Sequence, residues 1–178
     1  LFVSYPSDKA HTTSNGLSAG GNIKVDADPY IEGSGPNGPY IVMDYKPCGT
    51  TRAEIDFEKT VIDTSVSLYP FSIHGGGDVF LFGVYAFTNG RYGYNCRDDS
   101  ANWTHGDTTS PAQTLSRITL VLDAKNGKYI AAEEGRTNAT YTISGSRSKR
   151  STHYLPIFTS HDYAAANRMP MKLYSFKL

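Results

Sequence analysis

Short β-prone runs separated by turn signals fill the chain from about Tyr30 to its end, and this pattern restricts the fold more than any other feature. Residues 79–87 are almost continuously apolar, Asn89-Gly90 follows, and residues 91–97 form the next β-prone run. An Asn-Gly pair between two such runs predicts a β-hairpin, because a type I′ turn needs positive φ at both central residues.

The same pattern recurs along most of the chain. Residues 117–131 predict a second hairpin, with its turn at Lys125-Asn126-Gly127. In residues 52–58, apolar and charged side chains alternate, which is typical of a strand with one buried face. Further strands are predicted at 40–45, 141–143, 155–158 and 171–176, and only a helical turn at 164–167. Without helices to make parallel crossovers, the chain is expected to be all-β, an antiparallel two-sheet β-sandwich.

Charge and hydropathy argue against two classes of partner. Lys and Arg together number 17, as do Asp and Glu, whereas a protein that binds nucleic acid through its phosphates carries a basic excess. No apolar run approaches the roughly 18 residues of a membrane span. Aromatic residues make up 12 % of the chain, which favours a folded protein over a disordered one. We therefore expect neither a nucleic-acid nor a membrane partner.

The first residues differ from the rest. Residues 11–21 are rich in Ser, Thr and Gly and show no periodicity, so residues 1–27 are expected to be a linker or flexible arm. Residues 28–178 then form the sandwich domain. Cys48 and Cys96 are too few for a disulfide framework. We expect two free thiols, and the alternative is a single disulfide if the chain is secreted.

Three carboxylates follow one another on one face of a predicted strand, at Glu54, Asp56 and Glu58. This E-x-D-x-E pattern resembles the catalytic strand of laminarinase- and lichenase-type retaining glycosidases, in which such groups act as nucleophile and general acid. Crowded carboxylates also raise one pKa, as an acid catalyst requires. The alternative is a solvated strand face on which Arg52 offsets part of the negative charge.

A broader resemblance covers residues 28–178. The sequence contains, in order, Tyr30-Ile31-Glu32-Gly33-Ser34-Gly35, Tyr40-Ile41-Val42-Met43-Asp44-Tyr45-Lys46-Pro47, Thr51-Arg52-Ala53-Glu54-Ile55-Asp56-Phe57, Phe80-Leu81-Phe82-Gly83 and Met171-Lys172-Leu173-Tyr174-Ser175-Phe176-Lys177. This succession resembles the concanavalin A-like (laminin-G-like) jelly-roll modules of large bacterial secreted and cell-surface proteins. In those modules the Thr-Arg-x-Glu-x-Asp-Phe strand is usually structural, which weakens the glycosidase interpretation.

The resemblance implies a jelly-roll fold and a tendency to bind carbohydrate. We expect a non-catalytic module, extracellular or at the cell surface, that tethers a neighbouring catalytic domain to a polysaccharide or glycan. The alternatives are a glycosidase that uses Glu54, Asp56 and Glu58, and an adhesin or purely structural module. No cofactor is expected, although a structural calcium ion is common in this fold family. Asp98, Asp99, Asp107 and Asp162 offer oxygen ligands, but their spacing matches no calcium loop.

The segment 91–105 concentrates the side chains that recognise sugars. Aromatic rings stack on the C–H faces of sugars, and planar polar groups bind their hydroxyls. The candidate ligand-binding residues are Tyr92, Tyr94, Arg97, Asp98, Trp103 and His105. Trp103, the only tryptophan, is expected in a polar loop, either at the ligand or as a lid over the sandwich edge. For Tyr92 and Tyr94 the alternative is core packing, because they share a strand face with Cys96.

Overall fold

A computed structural model describes residues 17–20, 24–25, 30–33, 38–60, 66–74, 79–88, 91–100, 103–107, 117–133, 139–160, 162 and 164–178. The strands within these residues are, in chain order, β1 (Leu17–Gly20), β2 (Lys24–Val25), β3 (Ile31–Gly33), β4 (Tyr40–Met43), β5 (Arg52–Lys59), β6 (Leu68–Ile73), β7 (Phe82–Ala86), β8 (Tyr92–Arg97), β9 (Trp103–Asp107), β10 (Arg117–Asp123), β11 (Lys128–Glu133), β12 (Ala139–Thr142), β13 (Pro156–Ile157) and β14 (Met171–Lys177). A three-residue 3₁₀ turn at Ala165–Asn167 lies where the sequence predicts a helical turn.

The described strands form two sheets of seven strands each. The first sheet has the order β1-β4-β13-β6-β7-β8-β9, and the second has the order β12-β11-β10-β5-β14-β3-β2. All pairings between these strands are antiparallel. The arms of both predicted hairpins pair as expected, β7 with β8 and β10 with β11. The turn at Asn89-Gly90 lies outside the described residues. The predicted antiparallel two-sheet sandwich is confirmed.

The core lies between the sheets and is rich in aromatic side chains. On β5, Ala53, Ile55 and Phe57 are buried and the charged residues between them are partly exposed, as the alternation predicts. Phe57 meets Tyr92 of the opposite sheet edge-to-face, with ring centroids 5.6 Å apart. Such pairs add about 0.5–1.5 kcal/mol to the stabilisation from buried area. Cross-sheet aromatic contacts therefore fix how the two sheets face each other.

The folded part begins before the predicted boundary at residue 28. Within the segment 1–27, β1 pairs with β4 at the edge of the first sheet, and β2 pairs with β3 at the edge of the second. The Ser- and Gly-rich composition that indicates a linker does not prevent this, because backbone groups alone can pair a short strand with an exposed sheet edge. The prediction of a linker or flexible arm therefore does not hold for residues 17–20 and 24–25, and the other residues of the segment lie outside the described part of the chain.

The basic run 146–150 is largely exposed, as expected for a loop, but it is tied to the sandwich at several points. The Arg147 guanidinium donates hydrogen bonds to the backbone carbonyls of Ala124 (3.0 Å), Ser144 (2.6 Å) and Ile143 (3.0 Å). The Asp99 carboxylate, just after β8, accepts from the backbone N–H of Ser148 at 2.7 Å. These contacts join the end of β8 to the β10–β11 hairpin.

Candidate functional site

The three carboxylates of β5 each have a cationic neighbour on the outer face of the second sheet. Glu54 accepts hydrogen bonds from Lys177 Nζ at 2.7 Å and from Arg52 Nη2 at 2.9 Å. Asp56 accepts two bonds from Arg117, at 2.6 and 2.9 Å.

Glu58 accepts from the Tyr174 hydroxyl at 2.9 Å and lies 3.8 Å from Lys172 Nζ. Arg117 and Lys172 also lie over aromatic rings, those of Tyr174 (4.1 Å) and Tyr30 (4.9 Å). The face is thus a network of opposite charges and aromatic rings.

This network does not favour the glycosidase chemistry. The hydrogen bonds from Lys177 and Arg52 hold the pKa of Glu54 below its usual value. A general acid in a retaining glycosidase needs the opposite change, a pKa raised towards the working pH. The strand therefore fits the structural role that the resemblance implies for it.

Tyr92 and Tyr94 lie in the core. Their exposed fractions are 1 % and 3 %, and on β8 they alternate with residues of the outer face. The Tyr94 ring lies 4.7 Å from that of Tyr129 across the sandwich, and burial raises the pKa of both phenols. These contacts support the core alternative, and we leave both tyrosines out of the candidate site.

Asp98 follows β8 and is 8 % exposed because Gly145 covers it. A Cβ atom at Gly145 would lie 2.6 Å from Asp98 Oδ2, and the φ of +86° there favours glycine.

No group of three or more metal-ligating side chains occurs among the described residues. The Asp99 carboxylate is engaged by the loop at Ser148, and the side chain of Asp107 is outside the described part of the chain.

Arg97 and two other candidate residues come together in the β8–β9 pair. Trp103 lies opposite Arg97, and His105 lies opposite Asn95. The sequence predicts that Trp103 lies in a loop, but the structure places it at the first position of β9, at the β8 end of the first sheet. The loop prediction is corrected: Trp-Thr-His shows no apolar alternation, yet its backbone pairs with β8.

The structure adds residues that the sequence analysis did not select. On the outer face of the first sheet, the Tyr69 ring lies 5.7 Å from the His74 ring and 6.2 Å from the Tyr85 ring. Asn95 Nδ2 lies 3.0 Å from His74 Nδ1. We call Tyr69, His74, Tyr85, Asn95 and Arg97, with the paired positions Trp103 and His105, the β8–β9 face.

Three of these residues are nearly covered. Tyr69 and Tyr85 are each 8 % exposed and Asn95 is fully buried, while His74 and Arg97 are partly exposed. Burial lowers the pKa of His74, and the charge of Asp162 opposes this effect. A sequence pattern could have selected Tyr69 and Tyr85 only through alternation of apolar and polar residues along 68–73 and 82–86. That alternation is not visible in the sequence, because apolar residues occupy both faces of these strands.

The two cysteines are free thiols. Cys96 is buried in the core, and burial raises its pKa to about 12. Cys48 is partly exposed; burial acts to raise its pKa, but hydrogen bonds with Thr50 and Thr51 and the charge of Arg150 give a net lowering. Neither thiol belongs to the β8–β9 face.

Solved structures with a similar fold include carbohydrate-binding and receptor-binding domains. One is the CBM40 module of the Ruminococcus gnavus IT-sialidase, bound to α2,3-sialyllactose. It is 14 % identical to this chain, and the match covers 70 % of this chain and 72 % of that chain with a TM-score of 0.52. The binding domain of Paraclostridial Mosquitocidal Protein 1 is 9 % identical, with 98 % of this chain and 47 % of that one covered and a TM-score of 0.62. This chain therefore spans about half of that toxin domain.

A third similar structure is the heptameric SAP-like pentraxin of Limulus polyphemus, 11 % identical with a TM-score of 0.50, covering 90 % of this chain and 73 % of that chain. The fold is the concanavalin A-like jelly-roll sandwich that the sequence resembles. No protein-family model and no curated protein matches the sequence. Among the described residues, the helical content is too short to include a membrane-crossing helix.

Proposed function

We propose that the chain is a non-catalytic carbohydrate-binding module whose ligand contacts the β8–β9 face. The observation that carries this is the strand register, with Trp103 opposite Arg97 and His105 opposite Asn95. Paired positions across antiparallel strands belong to the same face of a sheet, so these positions adjoin the aromatic group of Tyr69 and Tyr85.

The residue types at this face suit a sugar. An indole can stack on the C–H face of a pyranose ring, and the Arg97 guanidinium can bind hydroxyls or a carboxylate. Similar folds include a sialidase module bound to α2,3-sialyllactose, which supports the same class of ligand. The engagement of every β5 carboxylate by a cation supports a role without catalysis.

In its parent protein, such a module raises the effective concentration of a neighbouring catalytic domain at its substrate, so a modest affinity suffices. This role places the module outside the cell or at its surface, with a polysaccharide or glycan as the partner. An adhesin that recognises a host glycan would use the same contacts.

The test is calorimetric titration with the best ligand from a screen of plant, algal, fungal and mucin glycans. Loss of one stacking aromatic costs about 1–3 kcal/mol, so Trp103→Ala should weaken binding by about 5- to 150-fold. Arg97→Ala should weaken it as well. Tyr154→Ala, which removes an aromatic side chain that is 44 % exposed and lies next to Lys46, is the matched control and should bind normally.

Normal binding by both Trp103→Ala and Arg97→Ala would contradict the proposal. It would move the site elsewhere, with the outer face of Arg52, Glu54 and Asp56 as the next candidate. The isolated chain should also release no reducing sugar from β-glucans or xylans. Hydrolysis that disappears in Glu54→Gln would establish the glycosidase instead.

A further inference from the structure

A row of three paired positions crosses the outer face of the first sheet. Ser72 on β6 pairs with Gly83 on β7, and Gly83 pairs with Asn95 on β8. Ser72 and Asn95 are fully buried, and the Ser72 hydroxyl lies over Gly83, 2.4 Å from where a Cβ atom there would be. The missing side chain at Gly83 thus leaves room for the Ser72 hydroxyl on this face.

The two ends of the Asn95 amide have different surroundings. Nδ2 lies 3.0 Å from His74 Nδ1, whereas Oδ1 has no hydrogen-bond partner among the described residues. Ser72 Oγ is likewise without a partner there. A buried polar atom left unpaired costs about 1–3 kcal/mol, so a buried amide used at one end only is unusual.

The partly exposed His74 ring has neighbours from several elements. The preceding strand, β6, contributes Tyr69, and the turn after β13 contributes Asp162, whose charge acts to raise the His74 pKa. The other titratable or charged residues of this face are Tyr85 on β7, Arg97 on β8, the paired position His105 on β9, and Arg168. The Arg168 backbone pairs with Tyr69, and its guanidinium lies over the Tyr40 ring.

We propose that His74 and Asn95 form a proton-coupled amide switch. When His74 is neutral, its proton is on Nε2, and Nδ1 accepts from Asn95 Nδ2. When His74 is protonated, Nδ1 becomes a donor, and the Asn95 amide rotates by half a turn so that Oδ1 accepts. The only covalent change is the N–H bond that Nδ1 forms with a proton from solvent.

The rotation breaks no other hydrogen bond to the described residues, since the far end of the amide has none to break. The two ends of an amide are nearly equal in size, so packing is preserved. Uptake of a proton at the partly exposed His74 thus exchanges the positions of the donor and acceptor ends of the Asn95 amide on the outer face of the first sheet.

Nuclear magnetic resonance on the free, full chain tests the proposal. Between pH 8 and pH 5, histidine side-chain ¹⁵N signals report the tautomer of His74, and carboxamide signals report Asn95. We expect the Nε2–H tautomer at pH 8, and Asn95 signals that move with the same midpoint as His74. That midpoint should lie below 6.5, the ordinary pKa of histidine, because burial disfavours the charged ring.

Three variants separate coupling from simple proximity. His74→Gln should abolish the pH-dependent movement of the Asn95 signals. Asn95→Asp provides only acceptors and should raise the His74 midpoint by about 1–3 pH units. Asp162→Asn is the matched control: it removes a neighbouring charge and should lower the midpoint while the Asn95 signals still follow it.

Asn95 signals that stay unchanged while His74 titrates would overturn the switch, as would an Nδ1–H tautomer at pH 8. If Asn95→Asp does not fold, the unmodified chain and His74→Gln still decide the question. Because all readouts use the protein without ligand, the switch can fail while glycan binding holds, and the reverse is also true.

Discussion

The side chain of Arg147 attaches an exposed loop to the sandwich through three hydrogen bonds. The run 146–150 is exposed and basic, and nothing in its composition distinguishes it from an ordinary solvated loop. In the structure, the Arg147 guanidinium donates to three carbonyls from the β10–β11 turn and the segment after β12. An arginine has the fork of donors for this and a lysine does not.

Arg147→Lys should therefore lower the free energy of unfolding by about 1–3 kcal/mol, because the carbonyls at Ala124 and Ile143 lose their donors. Urea denaturation followed by tryptophan fluorescence measures the change. The control is Arg52→Lys, at an exposed ion pair with Glu54, which should cost less than about 1 kcal/mol. Equal losses in the two variants would show that Arg147 acts only as a surface charge.

At the candidate site, individual residues were predictable where the strand pattern was clear. The alternation of 91–97 already offers core packing for Tyr92 and Tyr94, and both lie there. Trp103 could not be placed, since its neighbours carry no apolar alternation and only pairing with β8 makes them a strand. His74 and Asn95 meet although they are 21 residues apart, a contact that no local pattern encodes.

At the scale of elements, the strands with alternation or an Asn-Gly turn were predicted, and those held mainly by their neighbours were not. β6 contains Pro70, which normally argues against an interior strand because proline lacks an N–H donor. Here the register between β6 and β7 shifts between Leu68 and Phe71, and the Pro70 carbonyl accepts from the Phe158 N–H at 2.8 Å. The irregularity removes the need for a donor at that position.

The edge strands β1 and β2 yield a prediction about truncation. A chain that begins at Asp28 lacks both, leaves β4 and β3 as open edges, and should have a lower Tm than the full chain. A chain that begins at Gly16 retains both strands and should melt close to the full chain. Differential scanning calorimetry compares the three. Equal Tm values for the two truncated chains would restore the view that residues 1–27 are only a linker.

On the scale of the whole molecule, 17 cationic and 17 acidic side chains cancel, and part of this balance is arranged as specific pairs. A hydrogen bond from Lys177 lowers the pKa of Glu54, and a hydrogen bond from the Ser148 backbone N–H lowers the pKa of Asp99. Both carboxylates therefore bind a proton less readily in the folded chain than in the unfolded one. Their stabilising contribution is complete above the ordinary pKa values of 4.5 and 3.8.

Stability should then fall as the pH drops from about 5 towards 3, because the unfolded chain takes up these protons first. Glu54→Gln should make this fall shallower while lowering the stability at pH 7. Asp44→Asn changes the same charge at an exposed turn and serves as the control. Urea denaturation at pH 7, 5, 4 and 3 gives the slopes. A slope in Glu54→Gln equal to that of the unaltered chain would rule out a contribution from this ion pair.

The position of β14 has a consequence for how the molecule is made. This strand covers residues 171–177, yet it lies in the middle of the second sheet, between β5 and β3. During synthesis, β5 leaves the ribosome more than a hundred residues before β14, so the edge of β5 that pairs with β14 stays open for that time. At roughly 5–20 residues per second, that interval lasts from several seconds to about twenty. The nascent chain thus passes through a stage in which an eight-residue strand is exposed to pairing with other chains.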